Sequence, residues 1–292
     1  MHPAPSIIAF TVFSGLGFGM LAFLGLGKPD VSGFTGFVFF FIAFALAVGG
    51  LISSTFHLGN PQRALKAFSQ WRSSWLSREG CLAVATLSVM GLYALLIIFF
   101  NTRVPVLGIL GALLCVATVF ATSMIYTQIK TVPRWNHWTV PVLFMGYALT
   151  GGAFLTGQVR IAAAGLITMG LFQLIAWGLG DGRFAKSGST IETATGLGRI
   201  GKTRMFEAPH SSKNYLMTEM VHVVGRKHAT KLRIIGLVFM SLLPWAILMF
   251  LNFSHLMALV ALVMHVAGVL TIRWLFFAEA EHTVGLYYGA RG

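Results

Sequence analysis

Eight apolar stretches, each about long enough to cross a lipid bilayer, make up most of this 292-residue chain. A membrane-spanning helix needs about 20 mainly apolar residues. The stretches that meet this requirement are residues 5–26, 34–56, 80–100, 105–126, 139–157, 161–180, 234–251 and 255–277. We therefore expect an all-α integral membrane protein with eight transmembrane helices, forming a single membrane domain over residues 1–292.

Composition and cysteine content exclude several classes of protein. Hydrophobic residues make up 56% of the chain and charged residues only 10%, which excludes a water-soluble enzyme and a disordered chain. The two cysteines, Cys81 and Cys115, both lie in apolar stretches and form no metal-binding or disulfide pattern. An iron–sulfur cluster usually needs four thiolates, so the chain cannot hold one alone.

The basic residues are distributed unevenly between the two ends of the predicted helices. Eight spans place both termini on one side, together with the three longest connections, residues 57–79, 127–138 and 181–233. Of the 21 Lys and Arg residues, 18 lie on this side, and only Lys28, Arg103 and Arg160 lie on the other. Cytoplasmic loops carry an excess of Lys and Arg, so we expect the termini and the long loops to be cytoplasmic. The alternative cause is an acidic partner. A net charge of +13 would normally suggest nucleic-acid binding, but here the Lys and Arg residues lie beside long apolar stretches, so their asymmetry across a membrane explains the charge better.

One cluster of ionisable and aromatic residues lies between the second and third predicted spans. His57 and Glu79 are expected at similar depth on adjacent antiparallel helices, with Arg63, Trp71 and Trp75 between them in the sequence. A His and a carboxylate at that depth could handle protons near neutral pH. A quinone headgroup needs an apolar slot, hydrogen bonds to its carbonyls and a route for protons, all of which this cluster could provide.

The same cluster also has a purely structural interpretation. Asn60-Pro61 predicts the start of a short helix lying in the membrane interface. Trp71 and Trp75 fit the aromatic belt of that interface, where arginines bind lipid phosphates. His57 would then simply cap the end of a helix. The sequence leaves quinone binding and interfacial anchoring open.

His265 lies in the middle of the last predicted span and is the second candidate. It could ligate haem b, donate to a quinone, or hydrogen-bond to a neighbouring helix. A di-haem core needs paired histidines on facing helices, and only His57 and His265 come into consideration, so haem is not the favoured interpretation. A secondary transporter is the competing class, but such proteins usually carry acids inside the membrane. All eight Asp and Glu residues here fall at span ends or in loops.

The stretch His57-Leu-Gly-Asn-Pro-Gln-Arg-Ala, followed by Trp75-Leu-Ser-Arg-Glu-Gly80, resembles the membrane-anchor subunits of the DmsC family. These are similar in layout to the NrfD and PsrC anchors of quinone-linked molybdenum and iron–sulfur oxidoreductases. The opening residues 2–8, with Thr11, are most similar to the SoeC branch, the anchor of cytoplasmic sulfite dehydrogenase. The resemblance implies that His57 and Glu79 bind quinone and that Arg63 lies near its headgroup.

The resemblance also implies partners and a location. A catalytic subunit would hold molybdopterin guanine dinucleotide, a ferredoxin-like subunit would hold iron–sulfur clusters, and this chain would fix both to the bacterial cytoplasmic (inner) membrane. Loops 57–79 and 181–233 would dock these partners, although 181–233 could also be a solvated linker. Electrons would pass from sulfite to ubiquinone or menaquinone. A DMSO or polysulfide reductase that oxidises quinol is the alternative.

Overall fold

The structure is a computed structural model that describes residues 1–56, 60–207, 212, 214–220, 227–251 and 254–289. Helices account for 77% of it, and no strand occurs among the described residues. The prediction of an all-α fold is therefore confirmed.

Among the described residues, eight long apolar helices follow the predicted spans closely. They are α1 (Pro5–Gly25), α2 (Gly33–Thr55), α3 (Trp75–Phe100), α4 (Pro105–Thr127), α5 (Thr139–Leu155), α6 (Val159–Asp181), α7 (Ala229–Phe250) and α8 (His255–Ala278). Seven of them are long and apolar enough to cross a membrane, whereas α5 has 17 residues. At 1.5 Å per residue α5 spans roughly 25 Å, slightly less than a typical hydrocarbon core. The count of eight spans therefore stays a prediction.

Local sequence signals set several helix ends. Pro5 and Pro105 occupy the first position of α1 and α4, where the missing N–H costs nothing. Ser254 caps α8, because its hydroxyl accepts a hydrogen bond from the Met257 amide at 3.2 Å. Asn101 ends α3 in the left-handed conformation with φ of 49°.

Two predicted boundaries differ from the structure by about a helical turn. Helix α3 begins at Trp75 rather than at residue 80, so Glu79 lies in its second turn and not ahead of it. Helix α7 begins at Ala229 rather than at residue 234, which places Arg233 on a helix instead of in a loop. In both cases the helix continues through polar residues, because helical backbone hydrogen bonds remain favourable at the membrane edge.

Helix α1 lies at the centre of the bundle and is mostly buried. Its glycines allow other backbones to come very close: a Cβ on Gly19 would lie 1.8 Å from the carbonyl oxygen of Ala148 on α5. On another face, a Cβ on Gly17 would lie 2.2 Å from the amide nitrogen of Ala47 on α2. Small residues at helix contacts are typical of membrane bundles, where packing rather than the hydrophobic effect drives association.

The N-terminus and the residues after α8 meet at one end of the bundle, which we call the loop end. The Met1 amino group donates to the carbonyl of Ala280 at 2.8 Å. The amide of Thr283 donates to the carbonyl of Thr131, in the loop between α4 and α5, at 2.9 Å. Because α3 and α4 are antiparallel, α3 also begins at this end. The compartment that the loop end faces stays a prediction.

Four charged side chains form a closed ring of ion pairs at the loop end. Arg134 contacts Asp181 at 2.9 Å and Glu279 at 2.7 Å. Arg233 contacts the same two carboxylates at 2.5 and 2.6 Å. The ring ties the loop after α4 to the end of α6, the start of α7 and the residue after α8. We refer to these four residues as the charge ring.

Candidate functional site

Glu79 is a buried carboxylate near the start of α3. Only 4% of its surface is exposed. The hydroxyl of Thr122, on α4, donates to Glu79 Oε1 at 2.5 Å. Burying a carboxyl group costs free energy unless it is hydrogen-bonded, and an ionisable group inside a membrane protein is a functional candidate by default. Glu79 therefore remains the leading candidate for a functional residue at the contact between α3 and α4.

Threonines on α4 continue this polar contact between α3 and α4. Thr118 lies one turn before Thr122, and its hydroxyl is hydrogen-bonded to that of Thr86 on α3 at 2.8 Å. The sequence analysis missed these partners. The signal that could have found them is a pair of threonines four residues apart in an otherwise apolar helix, since such residues lie on one face.

Trp75 lies one turn before Glu79 on the same face of α3. Its ring packs edge-on against Phe120 of α4, with ring centroids 5.9 Å apart. The guanidinium of Arg78 lies 4.4 Å from the Trp75 ring centroid, a cation–π contact. The structure therefore brings Trp75 and Glu79 to the same contact between α3 and α4.

Trp71 belongs to the turn before α3 and is 55% exposed. The Arg72 guanidinium lies 5.5 Å from the Trp71 ring centroid. The backbone carbonyl of Trp71 accepts a hydrogen bond from Arg78 Nε at 3.0 Å. This exposed position is typical of a tryptophan in the interfacial belt. For Trp71, the anchoring interpretation fits the structure at least as well as quinone binding.

The predicted pair of His57 and Glu79 stays a prediction, because His57 lies outside the described residues. Arg63 belongs to a 3₁₀-helix, Pro61–Phe68, but its side chain is not among those that the structure describes. A helix is thus present where Asn60-Pro61 predicts one. Its Phe68 ring reaches α3, where it lies 3.2 Å from the position that a Cβ on Gly80 would occupy.

His265 is fully buried on α8 and belongs to a different part of the bundle. Its Nδ1 lies 2.7 Å from the carbonyl oxygen of Met240 on α7. A carbonyl only accepts, so Nδ1 carries the proton. This contact is the interhelical hydrogen bond that the sequence analysis gives as an alternative to haem or quinone binding.

The other nitrogen of His265, Nε2, has no hydrogen-bond partner among the described residues. The His265 residue lines a cavity together with Thr11 and Arg273, and this cavity has room for about one water molecule. A porphyrin does not fit in this space. The geometry around His265 therefore gives no support to a haem there.

The position of Arg273 in the structure differs from the one assumed when the basic residues were counted. The sequence analysis counts it among the 18 basic residues on the side of the termini, but it lies inside α8 and is only 4% exposed. Its guanidinium carbon lies 3.7 Å from the ring centroid of Phe144. The side chain turns into the bundle because aromatic rings surround it there, which a one-dimensional hydropathy pattern does not reveal. The lopsided distribution of basic residues remains without it.

Comparisons with known proteins show the family to which the chain belongs. A profile of the family described as DMSO reductase anchor subunit (DmsC) matches residues 1–289. A sulfite dehydrogenase subunit from Allochromatium vinosum is 27% identical to the chain, over 99% of each protein. No solved structure matches significantly. Since the profile covers nearly the whole chain, this protein belongs to the DmsC family of membrane-anchor subunits.

Proposed function

We propose that this chain is the membrane anchor and quinone-reacting subunit of a three-subunit molybdoenzyme. It passes electrons between a ferredoxin-like iron–sulfur subunit and the membrane quinone pool. The observation that carries the proposal is the buried carboxylate of Glu79, hydrogen-bonded to Thr122 near the loop end of the bundle. Family membership supports the anchoring role.

Glu79 holds or releases a proton at the edge of the quinone site, and Thr122 fixes the orientation of its carboxyl group. Trp75 forms an apolar wall one helical turn away, against Phe120. His57, Arg63 and Trp71 are proposed to complete the site from the segment before α3. When bound, a ubiquinone or menaquinone supplies two-electron, two-proton redox chemistry.

Sulfite is the proposed source of electrons. The support is the relative from Allochromatium vinosum, a sulfite dehydrogenase subunit that aligns over 99% of both chains. The family description, DMSO reductase anchor subunit, supports the alternative of a reductase that draws electrons from quinol. In either case molybdopterin guanine dinucleotide and the iron–sulfur clusters belong to the partner subunits.

The partners are proposed to dock at the loop end, on loops 57–79 and 181–233. These two segments contain most of the Lys and Arg residues of the chain. Exposed ion pairs are individually weak, so docking also needs apolar contacts. Exposed apolar side chains in these segments, such as Leu65, Ile200 and Phe206, can supply them.

The proposal is tested by deleting this chain alone from the native complex. Membranes of the deletion strain are expected to lose sulfite-linked quinone reduction, and the molybdenum and iron–sulfur subunits are expected in the soluble fraction. Sulfite oxidation with an artificial dye should continue, because it bypasses the anchor. Partner subunits that stay on the membrane and still reduce quinone would contradict the proposal. Loss of quinol-linked DMSO reduction instead would favour the reductase alternative.

We also propose that the loop end faces the cytoplasm, with eight spans. A phosphatase that folds only outside the cytoplasm, fused after residue 289, is then expected to be inactive. The matched control is the same fusion in the turn 101–104 at the opposite end of α3, which should be active. Reversed activities would invert the orientation and place the catalytic partners outside the cytoplasm.

A further inference from the structure

Arg273 is a buried arginine inside a helix long and apolar enough to cross a membrane. Its Nε has no hydrogen-bond partner in the part of the chain that the structure describes. An arginine keeps its charge in proteins, and an isolated charge inside a membrane protein is costly. The aromatic face of Phe144, 3.7 Å from the guanidinium, offsets only part of that cost.

Among the described residues, no acidic side chain balances this charge. All eight Asp and Glu residues lie in the described ranges, and none forms an ion pair with Arg273. The nearest acid along the chain, Glu279, is already bound by Arg134 and Arg233 within the charge ring. That ring contains two acids and two bases, so it has no net charge. Arg273 therefore leaves one positive charge uncompensated in the interior.

A small cavity of about 50 Å³ lies between the charge ring and Arg273. Helices α5, α6 and α8 form its walls, and Trp177 and Phe276 line part of it. Gln173 also lines this cavity and is only 4% exposed. The Tyr147 hydroxyl donates to Gln173 Oε1 at 2.5 Å, which leaves the NH₂ group of that amide as a donor.

We propose that this cavity binds a small inorganic anion of about the size of chloride. Arg273 supplies the opposite charge, and the amide of Gln173 supplies a second donor. Bound water alone would satisfy the hydrogen bonds but would leave the charge uncompensated. Glu279 itself lines the cavity, but both of its oxygens are bound within the charge ring, so it does not serve as the counter-ion of Arg273.

The test measures the unfolding temperature of the purified full-length protein in detergent, with sodium chloride replaced stepwise by sodium gluconate at constant ionic strength. Binding to the folded state raises stability with ligand concentration. We expect a saturable rise of a few degrees with chloride, and a similar rise with bromide. Arg273→Gln should abolish this rise, and Gln173→Leu should shift its midpoint several-fold towards higher chloride.

The matched control is Arg103→Gln, which removes an arginine that is paired with Asp30 at the opposite end of the bundle. This variant should keep the full chloride dependence. If Arg273→Gln does not fold, the Gln173 variant and bromide anomalous scattering from crystals of the wild-type protein decide the question. A wild-type protein without anion-specific stabilisation, an unchanged response in Arg273→Gln, or water alone in the cavity would each overturn the proposal.

Discussion

Replacing Glu79 with glutamine is expected to lower quinone-linked turnover by at least about 100-fold, because positioned acid–base groups typically contribute 10²- to 10⁴-fold. Glutamine has nearly the same size, and its Oε1 can still accept the hydrogen bond that Thr122 donates to the wild-type carboxylate. The variant should therefore fold and assemble. It cannot bind and release a proton, however, and that is the role proposed for Glu79. Quinone reduction by membranes measures the effect.

The same preparation supplies an internal control. Oxidation of the partner's substrate with an artificial dye should be unchanged, since it does not involve the anchor. Asp30→Asn is the matched variant, because Asp30 is an exposed carboxylate at the end of the bundle opposite the loop end and is proposed to have no role in quinone binding or docking. Wild-type quinone turnover in Glu79→Gln, at equal assembly, would remove Glu79 from the proposed site.

The helices could be predicted well because a membrane imposes a strong length and polarity requirement on each of them. The first turn of α3 is the exception. Its sequence, Trp75-Leu-Ser-Arg-Glu, is too polar for a hydropathy criterion, yet the backbone stays helical and Glu79 becomes buried against α4. The sequence identifies Glu79 as a candidate, but its burial depends on a helix boundary that composition does not define.

Partners across helices could not be predicted in the same way. Thr122 is 43 residues away from Glu79 in sequence, and only the antiparallel packing of α3 and α4 brings the two together. Arg273 shows the same difficulty more strongly. It lies near the end of a predicted span, where a basic residue normally extends to the interface, but the bundle provides aromatic rings for it instead.

The charge ring at the loop end leads to a second prediction with a large effect: replacing its buried member lowers the stability of the protein. Glu279 is the buried member, with 5% of its side chain exposed, and it is bound by both arginines. Removing one partner of a buried ion pair costs about 3–5 kcal/mol, because the remaining charge stays buried and unpaired. For Glu279→Gln we expect the lower end, about 3 kcal/mol, since Arg134 and Arg233 keep 18% and 23% exposure and remain paired with Asp181.

Asp181→Asn is the matched control, because Asp181 contacts the same two arginines but is 49% exposed. Exposed pairs contribute about 0–1 kcal/mol, so this variant should lose less than about 1 kcal/mol. Reversible unfolding of the purified chain in mixed micelles measures both free energies. Glu279 also follows α8 directly and is bound to the loop after α4, so Glu279→Gln should additionally expose the loop end to proteolysis. Equal losses in the two variants would mean that burial does not govern the strength of the ring.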